Sequence, residues 1–414
     1  MFIHSGSQSV SRFDRETPMP KSSNTWMHEF VEFRGREAAF PEDEFKQRQD
    51  RARAAIEASG YGALIVTVPE NIYWLTGRQT AGYFSFQALI MPVEGEPTLL
   101  VRQLELVGSV ANTWIDDIVA YQDGEDPASA LAQILFLREI VRPAIELAGW
   151  FLPPVLAQRI AAQTGVEAIP DGSAILAPLR VVKSSAELQA IRSAATYAQE
   201  GLGAGISACR VGTDENAIAA AMLNAATRAG SEVMAMEPLV SSGPRSGLPH
   251  MTWRRRQLIA GDPVFLELAG SHARYHAALM RTVWIGQPPV EARRMMDCSL
   301  AALDAALDEI RPGVPCSAPH EAAQRVIDAA GYTAAFRKRI GYSMGVAFAP
   351  DWGEGGILSL FSGVERIMEP GMVFHLPATL RSYGVWTVGA SETVIVTENG
   401  AEPLSSLQRD LIVR

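Results

Sequence analysis

The chain has seven histidines, and His250 stands in the sequence context most suggestive of chemistry. It ends the stretch PLVSSGPRSGLPH (238–250), whose glycine, proline and serine content is typical of a loop beside a pocket rather than of a helix face. An imidazole has an ordinary pKa of about 6.5, so it can take and return a proton near neutral pH. His250 therefore suggests acid–base catalysis, and an ordinary surface-loop histidine is the alternative interpretation.

A carboxylate in an apolar strand is the second candidate. The segment VFLELAGSHARYHAALMRTVWIG (264–286) has the pattern of a strand hairpin, with Glu267 among Phe265, Leu266 and Leu268. Alternation along a strand places Glu267 on the same face as Phe265 and Ala269. A carboxylate in such surroundings either caps a strand end or is buried with a partner, and the second case favours a functional role.

A third segment has the composition of a pocket lining. RIGYSMGVAFAPDWGEGG (339–356) combines glycines, which permit close approach, with Tyr342, Asp351, Trp352 and Glu354. The sequence carries no dinucleotide fingerprint, phosphate loop, H-E-x-x-H motif or G-x-S-x-G elbow in its required context. The short motifs therefore leave the reaction class open.

The elements that position these residues form two groups. Residues 41–60 show helical periodicity that begins acidic and ends at a glycine, and strands are predicted at 63–68, 86–93 and 97–102. A new start near residue 180 contains Ser184-x-x-Glu187, the signature of a capping box. Beyond it the pattern predicts helices and strands in alternation, with helices near 213–229, 290–310 and 317–330, and strands near 263–270, 279–285, 371–378 and 391–397.

This pattern predicts an α/β (α+β) protein of two domains. An N-terminal arm (1–40) precedes an α/β domain (41–178), and a domain with a mainly antiparallel sheet covered by helices follows (179–414). The arm is rich in Ser, Pro, Arg and Glu, and it is expected either to dock on another surface or to be disordered.

Composition narrows the function classes. The 414 residues are 48% hydrophobic, and 36 basic against 46 acidic side chains give a net charge of −10, which disfavours nucleic acid as a partner. We found no apolar run long enough to span a membrane and no signal-peptide core, and the three cysteines are widely spaced. A soluble cytoplasmic protein with reduced thiols and no membrane contact is expected.

Taken in order, several segments resemble the pita-bread family, which includes creatinase, prolidase and methionine aminopeptidase. The resemblance runs from about residue 42 to residue 414, and it rests on RVVKSSAELQAIRSAA (180–195), SSGPRSGLPH (241–250), IGYSMGVAF (340–348), MEPGMVFHL (368–376) and SETVIVTENG (391–400). Further blocks resemble the ectoine hydrolase branch, namely WLTG (74–77), PVEGEP (92–97), PDWGE (350–354) and GMVFH (371–375). The resemblance implies a creatinase-type N-terminal domain, a pita-bread catalytic domain and a homodimer.

The metal-dependent members of this family carry five ligands: an Asp, a second Asp eleven residues later, a His and two Glu. The corresponding positions here hold Glu267, Ala278, Tyr342, Pro377 and Ser391. Glu392 is adjacent to the last position, and a β-bulge would bring it into register. The resemblance therefore implies the metal-free branch, with no metal and no cofactor.

The expected reaction is opening of an ectoine-like cyclic amidine by water, with His250 as base and then acid. Glu267 would hold the amidinium, and Glu354 or Asp351 would supply a second carboxylate. The remaining candidates are expected to bind substrate, either its carboxylate (Arg245, Arg274) or other groups (Trp74, His276, Tyr342, His375). For His276 and His375 a structural role inside a packed sheet is the alternative, and Trp74 is equally compatible with an ordinary core position.

Two other function classes stay open. One is a metal-dependent Xaa-Pro dipeptidase or aminopeptidase whose altered site uses Glu267, Glu392 and a histidine. The other is a non-catalytic protein that binds a small zwitterion or a peptide end in the same pocket.

Overall fold

The computed structural model describes residues 30–414, so most of the predicted N-terminal arm lies outside the described residues. The described chain divides into two compact units, which end and begin at Leu179 and Arg180. Within the described residues, no helix is long and apolar enough to cross a membrane.

The first unit is built on a five-stranded mixed sheet with strand order β4-β3-β2-β1-β5. Its strands are β1 (Ala63–Val66), β2 (Ala88–Pro92), β3 (Thr98–Arg102), β4 (Asp117–Tyr121) and β5 (Pro143–Ile145). Its helices are α1 (Glu42–Ala58), α2 (Pro69–Thr76), α3 (Leu106–Asn112), α4 (Pro127–Leu137) and α5 (Pro154–Thr164). Short 3-10 turns occur at Val31–Phe33 and Gln103–Glu105.

Both faces of this sheet are buried, which explains why its strands are apolar throughout rather than alternating. Leu64 and Val66 of β1 pack into one apolar core, whereas Ile65 between them packs into a second core on the other face. The predicted α/β domain is thus confirmed. A short helix, α6 (Ala177–Val181), lies where the chain passes from the first unit to the second.

The second unit is built on a nine-stranded sheet whose main path runs β10-β9-β11-β12-β8-β7-β6. These strands are β6 (Leu239–Ser242), β7 (Pro263–His272), β8 (Tyr275–Trp284), β9 (Gly341–Ser343), β10 (Ser359–Leu360), β11 (Val373–Ser382) and β12 (Trp386–Thr397). Two short strands complete the sheet, β13 (Gly400–Pro403) beside β12 and β14 (Ile412–Val413) beside β8. Apart from the parallel β14–β8 pair, the pairings are antiparallel, as predicted.

Helices cover one face of this sheet. They are α7 (Ser185–Ala208), α8 (Glu215–Ala229), α9 (Val290–Glu309) and α10 (Ala318–Ala329), with 3-10 turns at Gly243–Gly247 and Thr333–Ala335. The capping box at the start of α7 is present: the Ser184 hydroxyl accepts from the Glu187 amide, and the Glu187 carboxylate accepts from the Ser184 amide. Leu266 and Leu268 of β7 belong to the apolar core beneath α7 and α8, so Glu267 between them faces the other way.

Candidate active site

The face of the nine-stranded sheet opposite the helices carries polar residues that lie up to 124 positions apart in the sequence. We call it the site face and define it by Glu267 on β7, Tyr342 on β9, His375 on β11 and Ser391 on β12. Strand register supports this grouping, because His375 is paired with Tyr342 and Pro377 with Ser391, and directly paired residues point to the same face.

The same register fixes the face of β8. Ala390 is paired with Arg281, and both lie on the helix-covered side, so Met280 and Ala278 lie on the site face with Ser391. Met280 is paired directly with Glu267. The five positions that the resemblance aligned with metal ligands therefore share one face of one sheet.

Glu267 has an unusual environment for a carboxylate. It is 8% exposed, and its side chain accepts no hydrogen bond within the described part of the chain. Burial raises its pKa to about 7, although the positive charges of Lys338 and Arg381 act in the opposite direction and Asp351 adds to the rise. Glu267 is thus poised to exchange a proton or to receive a cationic group near neutral pH.

Lys338 and Arg381 supply positive charge around Glu267, and sequence reasoning missed both. Lys338 Nζ donates to the carbonyl of Pro377 at 2.5 Å, and burial lowers the pKa of its ammonium to about 7, with Arg381 contributing. Arg381 is half-buried, and its Nε has no hydrogen-bond partner among the described residues. Neither cation lies within 4.0 Å of the Glu267 carboxylate, so the charges are near one another without being paired.

A signal for both residues was available in the sequence. Arg381 follows His375 by six positions on one strand, so alternation places both on the site face. Lys338 lies in the basic run Arg337–Arg339, directly before the pocket-like segment.

A chain of four polar side chains crosses the site face. Trp352 Nε1 donates to the Tyr342 hydroxyl at 3.0 Å, and the same hydroxyl lies 2.8 Å from His375 Nδ1. On the other side of the imidazole, Nε2 lies 2.7 Å from the Ser391 hydroxyl. Burial lowers the pKa of His375 to about 3, with the charges of Lys338 and Arg281 contributing, so the ring is neutral at physiological pH.

The loop that carries His250 is anchored by a buried carboxylate. Glu215, with no solvent exposure, accepts from the Ser242 amide and hydroxyl, from the Arg254 amide and from Arg245 Nη1, the last at 2.6 Å. Arg245 Nη2 donates to the carbonyl of Thr252 at 2.7 Å. These contacts favour a structural role for Arg245, in place of the predicted role in binding the substrate carboxylate.

His250 itself is exposed and adopts a left-handed backbone conformation with φ of 55°. Three residues earlier, the carbonyl of Gly247 accepts from the Gly384 amide in the β11–β12 turn, three residues after Arg381. The loop therefore packs on the hairpin that carries Arg381. Because His250 is exposed on this loop, a ligand can reach its side chain. Its role as a base stays a prediction.

Glu354, predicted as catalytic, lies in a buried ionic cluster. Its carboxylate binds Lys183 at 2.8 Å and Arg180 through Nη2, and it also accepts from the amide of Val346 at 3.2 Å. Burial opposes its ionisation, but Lys183 and Arg180 outweigh burial and hold its pKa below the ordinary range. This arrangement favours a structural role, in which Glu354 fixes the segment between Tyr342 and Trp352.

Asp351, the alternative second carboxylate, is exposed. It accepts from the amide of Gly353 at 3.0 Å, and its charge contributes to the raised pKa of Glu267. Asp351, unlike the buried Glu354, is therefore both accessible and near Glu267.

Other predicted substrate ligands lie in packed surroundings. His276 is fully buried, its Nε2 accepts from the Ala235 amide and its Nδ1 donates to the Arg274 carbonyl, and burial lowers its pKa to about 4. The Arg274 guanidinium stacks on the Phe348 ring at 4.4 Å. Trp74 is 1% exposed inside the first unit, which favours its reading as a core aromatic.

The β11–β12 pairing contains no bulge that would bring Glu392 into register with the site face. Pairing between β11 and β12 runs without interruption from Val373–Ile395 to Ser382–Trp386. Glu392 is opposite Leu376, which lies in the helix-covered core, and its carboxylate binds Arg281 at 2.8 Å. Glu392 therefore belongs to the opposite face from Glu267.

Fold and site together define a two-domain pita-bread protein whose sheet carries a polar site on one face. Residues 189–398 match metallopeptidase family M24, and residues 48–182 match the creatinase/prolidase N-terminal domain. The chain belongs to metallopeptidase family M24.

Its relatives include enzymes with different substrates. Ectoine hydrolase of Halomonas elongata is 25% identical over 91% of this chain and 98% of its own length. The crystal structure of dipeptidase PepE from Mycobacterium ulcerans has a TM-score of 0.78 and 26% identity, covering 91% of this chain and 99% of that one. A prolidase from Thermococcus sibiricus shares the fold, with a TM-score of 0.81 and 22% identity over 89% of this chain and 99% of its own.

The family name implies a metal centre, but the residues present do not fit one. Of the five ligand positions only Glu267 offers a carboxylate, and no group of three or more His, Cys, Asp or Glu in the described residues could hold a metal ion. Two cationic side chains lie beside that single carboxylate. Such a donor set suits an organic ion better than a divalent metal.

Proposed function

We propose that the protein is a metal-independent hydrolase that cleaves a non-peptide C–N bond in a small zwitterionic amidine or guanidine-type compound, with an ectoine-like cyclic amidine as the best candidate. The observation that carries the proposal is the mixed charge on the site face, where the Glu267 carboxylate accepts no hydrogen bond from the described residues and Lys338 and Arg381 lie nearby. A zwitterion matches this arrangement with both of its charged ends.

Glu267 would receive the cationic end of the substrate. An amidinium at about 4 Å from a carboxylate gains roughly 4 kcal/mol at an effective dielectric constant of 20. The positive charge of the ligand also lowers the pKa of Glu267, so binding itself favours the ionised carboxylate. Glu267 thereby orients the carbon of the C–N bond.

Arg381 and Lys338 would receive the carboxylate end. A guanidinium offers two parallel N–H donors to a carboxylate, and the Nε of Arg381 has no partner among the described residues. Lys338, whose pKa is lowered to about 7, would regain its proton when an anion binds beside it. This pair replaces Arg245 and Arg274 as the proposed carboxylate site.

Water would then add to the oriented carbon. His250, exposed on the loop that packs against the Arg381 hairpin, would take the proton of the attacking water and return it to the departing nitrogen. The charge of Asp351 raises the pKa of Glu267, so the two carboxylates are close and Asp351 would lie beside the same substrate. We further propose that the enzyme is a cytoplasmic homodimer.

The proposal is tested by proton NMR of chelator-treated protein incubated with ectoine, hydroxyectoine, creatine and a Xaa-Pro dipeptide. Acetyl-diaminobutyrate signals without added metal are the expected result, and they disappear in Glu267→Gln. The matched control is Glu365→Gln, which changes an exposed carboxylate in the same unit.

Two outcomes would overturn the proposal. Dipeptide cleavage that requires added manganese, cobalt or zinc would establish a metal-dependent dipeptidase instead. Saturable binding of one of the compounds without turnover would establish a non-catalytic binding protein.

A further inference from the structure

The side chains of Trp352, Tyr342, His375 and Ser391 form a linear chain with three hydrogen bonds. Because His375 is neutral, the four side chains carry four polar hydrogens: the indole N–H, the phenol O–H, one imidazole N–H and the serine O–H. Three of these hydrogens form the three hydrogen bonds, so the fourth can be donated to a group other than these four side chains. The indole can only donate, so the extra hydrogen belongs to Tyr342 or to Ser391.

Burial decides between these two residues. Ser391 has no solvent exposure, and its hydroxyl has no hydrogen-bond partner other than His375 Nε2 among the described residues. An outward Ser391 hydrogen would leave a buried donor unpaired, which costs about 1–3 kcal/mol. Tyr342, in contrast, is half-buried, and it lies close enough to Glu267 for the carboxylate charge to raise the pKa of its phenol.

We propose that Tyr342 is the hydrogen-bond donor to the substrate on the site face, and that Ser391 and His375 act as positioning residues which hold its hydroxyl in that role. In this arrangement the Ser391 hydroxyl donates to His375 Nε2, and His375 Nδ1–H donates to the Tyr342 oxygen, which also accepts from Trp352. The tyrosine hydrogen is then directed away from both neighbours. The proposal rests on the proposed function, because it assigns a further catalytic residue to the same reaction.

Two features of the site strengthen the donor. A phenol oxygen that accepts two hydrogen bonds is a stronger donor through its own O–H, since the bonds in a chain polarise one another. The guanidinium of Arg339 lies over the Tyr342 ring at 4.8 Å, and its positive charge acts in the same direction. The hydroxyl is therefore organised in advance to stabilise a nitrogen or oxygen that gains electron density when water adds to the substrate.

The first test measures the tautomer directly and needs no substrate. In full-length protein labelled with ¹⁵N-histidine, the His375 signals are assigned by their loss in His375→Gln. The expected spectrum shows a protonated Nδ1 and an unprotonated Nε2, unchanged between pH 5.5 and 8.5. In Ser391→Ala the Nε2–H form should become populated, and Ser391→Thr, which keeps the hydroxyl, should restore the original spectrum. A wild-type ring protonated on Nε2 would overturn the positioning role.

The second test is kinetic. Tyr342→Phe should lower kcat by about 100-fold, as expected for loss of one preorganised donor, with a much smaller change in KM. Ser391→Ala should lower kcat by about 10-fold, and Ser391→Thr should recover it. Equal kcat values for wild type and a folded Tyr342→Phe would refute the donor role. If no compound is turned over, the proposed function fails while the tautomer measurement still decides the positioning chain.

Discussion

Arg281 Nη2 donates to Glu392 Oε1 across 2.8 Å, and neither side chain is exposed to solvent. The pair lies on the helix-covered side of the sheet, and Arg281 also donates to the carbonyls of Met280, Ser391, Leu407 and Gln408. Arg281 is therefore a structural residue that ties β8 and β12 to the C-terminal segment. This role removes Glu392 from any metal site.

Glu392→Gln should destabilise the protein by about 3–5 kcal/mol, because it leaves the buried charge of Arg281 without its counter-ion. Urea unfolding at pH 7.5 would measure the loss. Glu402→Gln breaks the exposed pair with Arg192 and should cost less than about 1 kcal/mol. Loss of a bound divalent metal in Glu392→Gln, with stability unchanged, would contradict the structural assignment.

Glu267→Gln should stabilise the protein at alkaline pH while removing activity. The folded-state pKa of about 7 exceeds the ordinary value of 4.5, so the folded protein binds the proton more tightly than the unfolded chain. The ionised carboxylate therefore costs stability progressively as pH rises from about 4.5 to 7, and the full cost is present above pH 7. The gain in the variant should be about 3 kcal/mol at pH 8, at about 1.4 kcal/mol for each pKa unit, and near zero at pH 4.

Thermal unfolding of Glu267→Gln and wild type across this pH range would check the prediction. Glu365→Gln, at an exposed position, should show no such pH-dependent difference. A Glu267→Gln protein less stable than wild type at pH 8 would mean that the carboxylate has a strong partner.

Lys338→Met should move the acidic limb of the kcat/KM profile to higher pH. In the proposed function, binding of the cationic substrate end requires ionised Glu267, so activity should fall as pH decreases through about 7. Lys338 lowers the pKa of Glu267 by its charge, and its removal must therefore raise that pKa. A profile from pH 5 to 9 on the substrate identified by NMR would measure the shift. Arg337→Met removes an exposed charge from the same basic run and should leave the limb in place.

Arg245→Met should lower kcat more than it raises KM. Its guanidinium binds Glu215 and the Thr252 carbonyl, so its loss should loosen the loop that carries His250. We expect a kcat lower by about 10-fold or more, since a small misplacement of a catalytic group is costly. A large rise in KM with unchanged kcat would instead show that Arg245 binds the substrate carboxylate.

Glu354→Gln should reduce stability by about 3–5 kcal/mol, because Arg180 and Lys183 would both lose their buried counter-charge. Asp351→Asn, at an exposed neighbouring position, should leave stability nearly unchanged and impair turnover. Thermal unfolding and kinetics of the two variants would separate them. Wild-type stability with abolished turnover in Glu354→Gln would restore the catalytic assignment.

Several features were readable from the sequence because they depend on local order. The Ser184–Glu187 capping box, the strand alternation at Glu267 and the fully apolar β1 each follow from residues a few positions apart. The motifs of the C-terminal unit also identified the fold class. These features need no knowledge of which strands become neighbours.

The two-domain fold follows from the order of residues along the chain, and so does the replacement of metal-ligand residue types at four of the five positions. Which charged side chains become neighbours depends on tertiary packing. Tertiary packing paired Glu354 with Arg180 and Lys183, and it brought Lys338 and Arg381 near Glu267. It also placed Glu392, one residue after Ser391, on the opposite face of the sheet from Glu267. These residues are far apart along the chain, and electrostatic partnership depends on distance and burial in space, which only the packed sheet establishes.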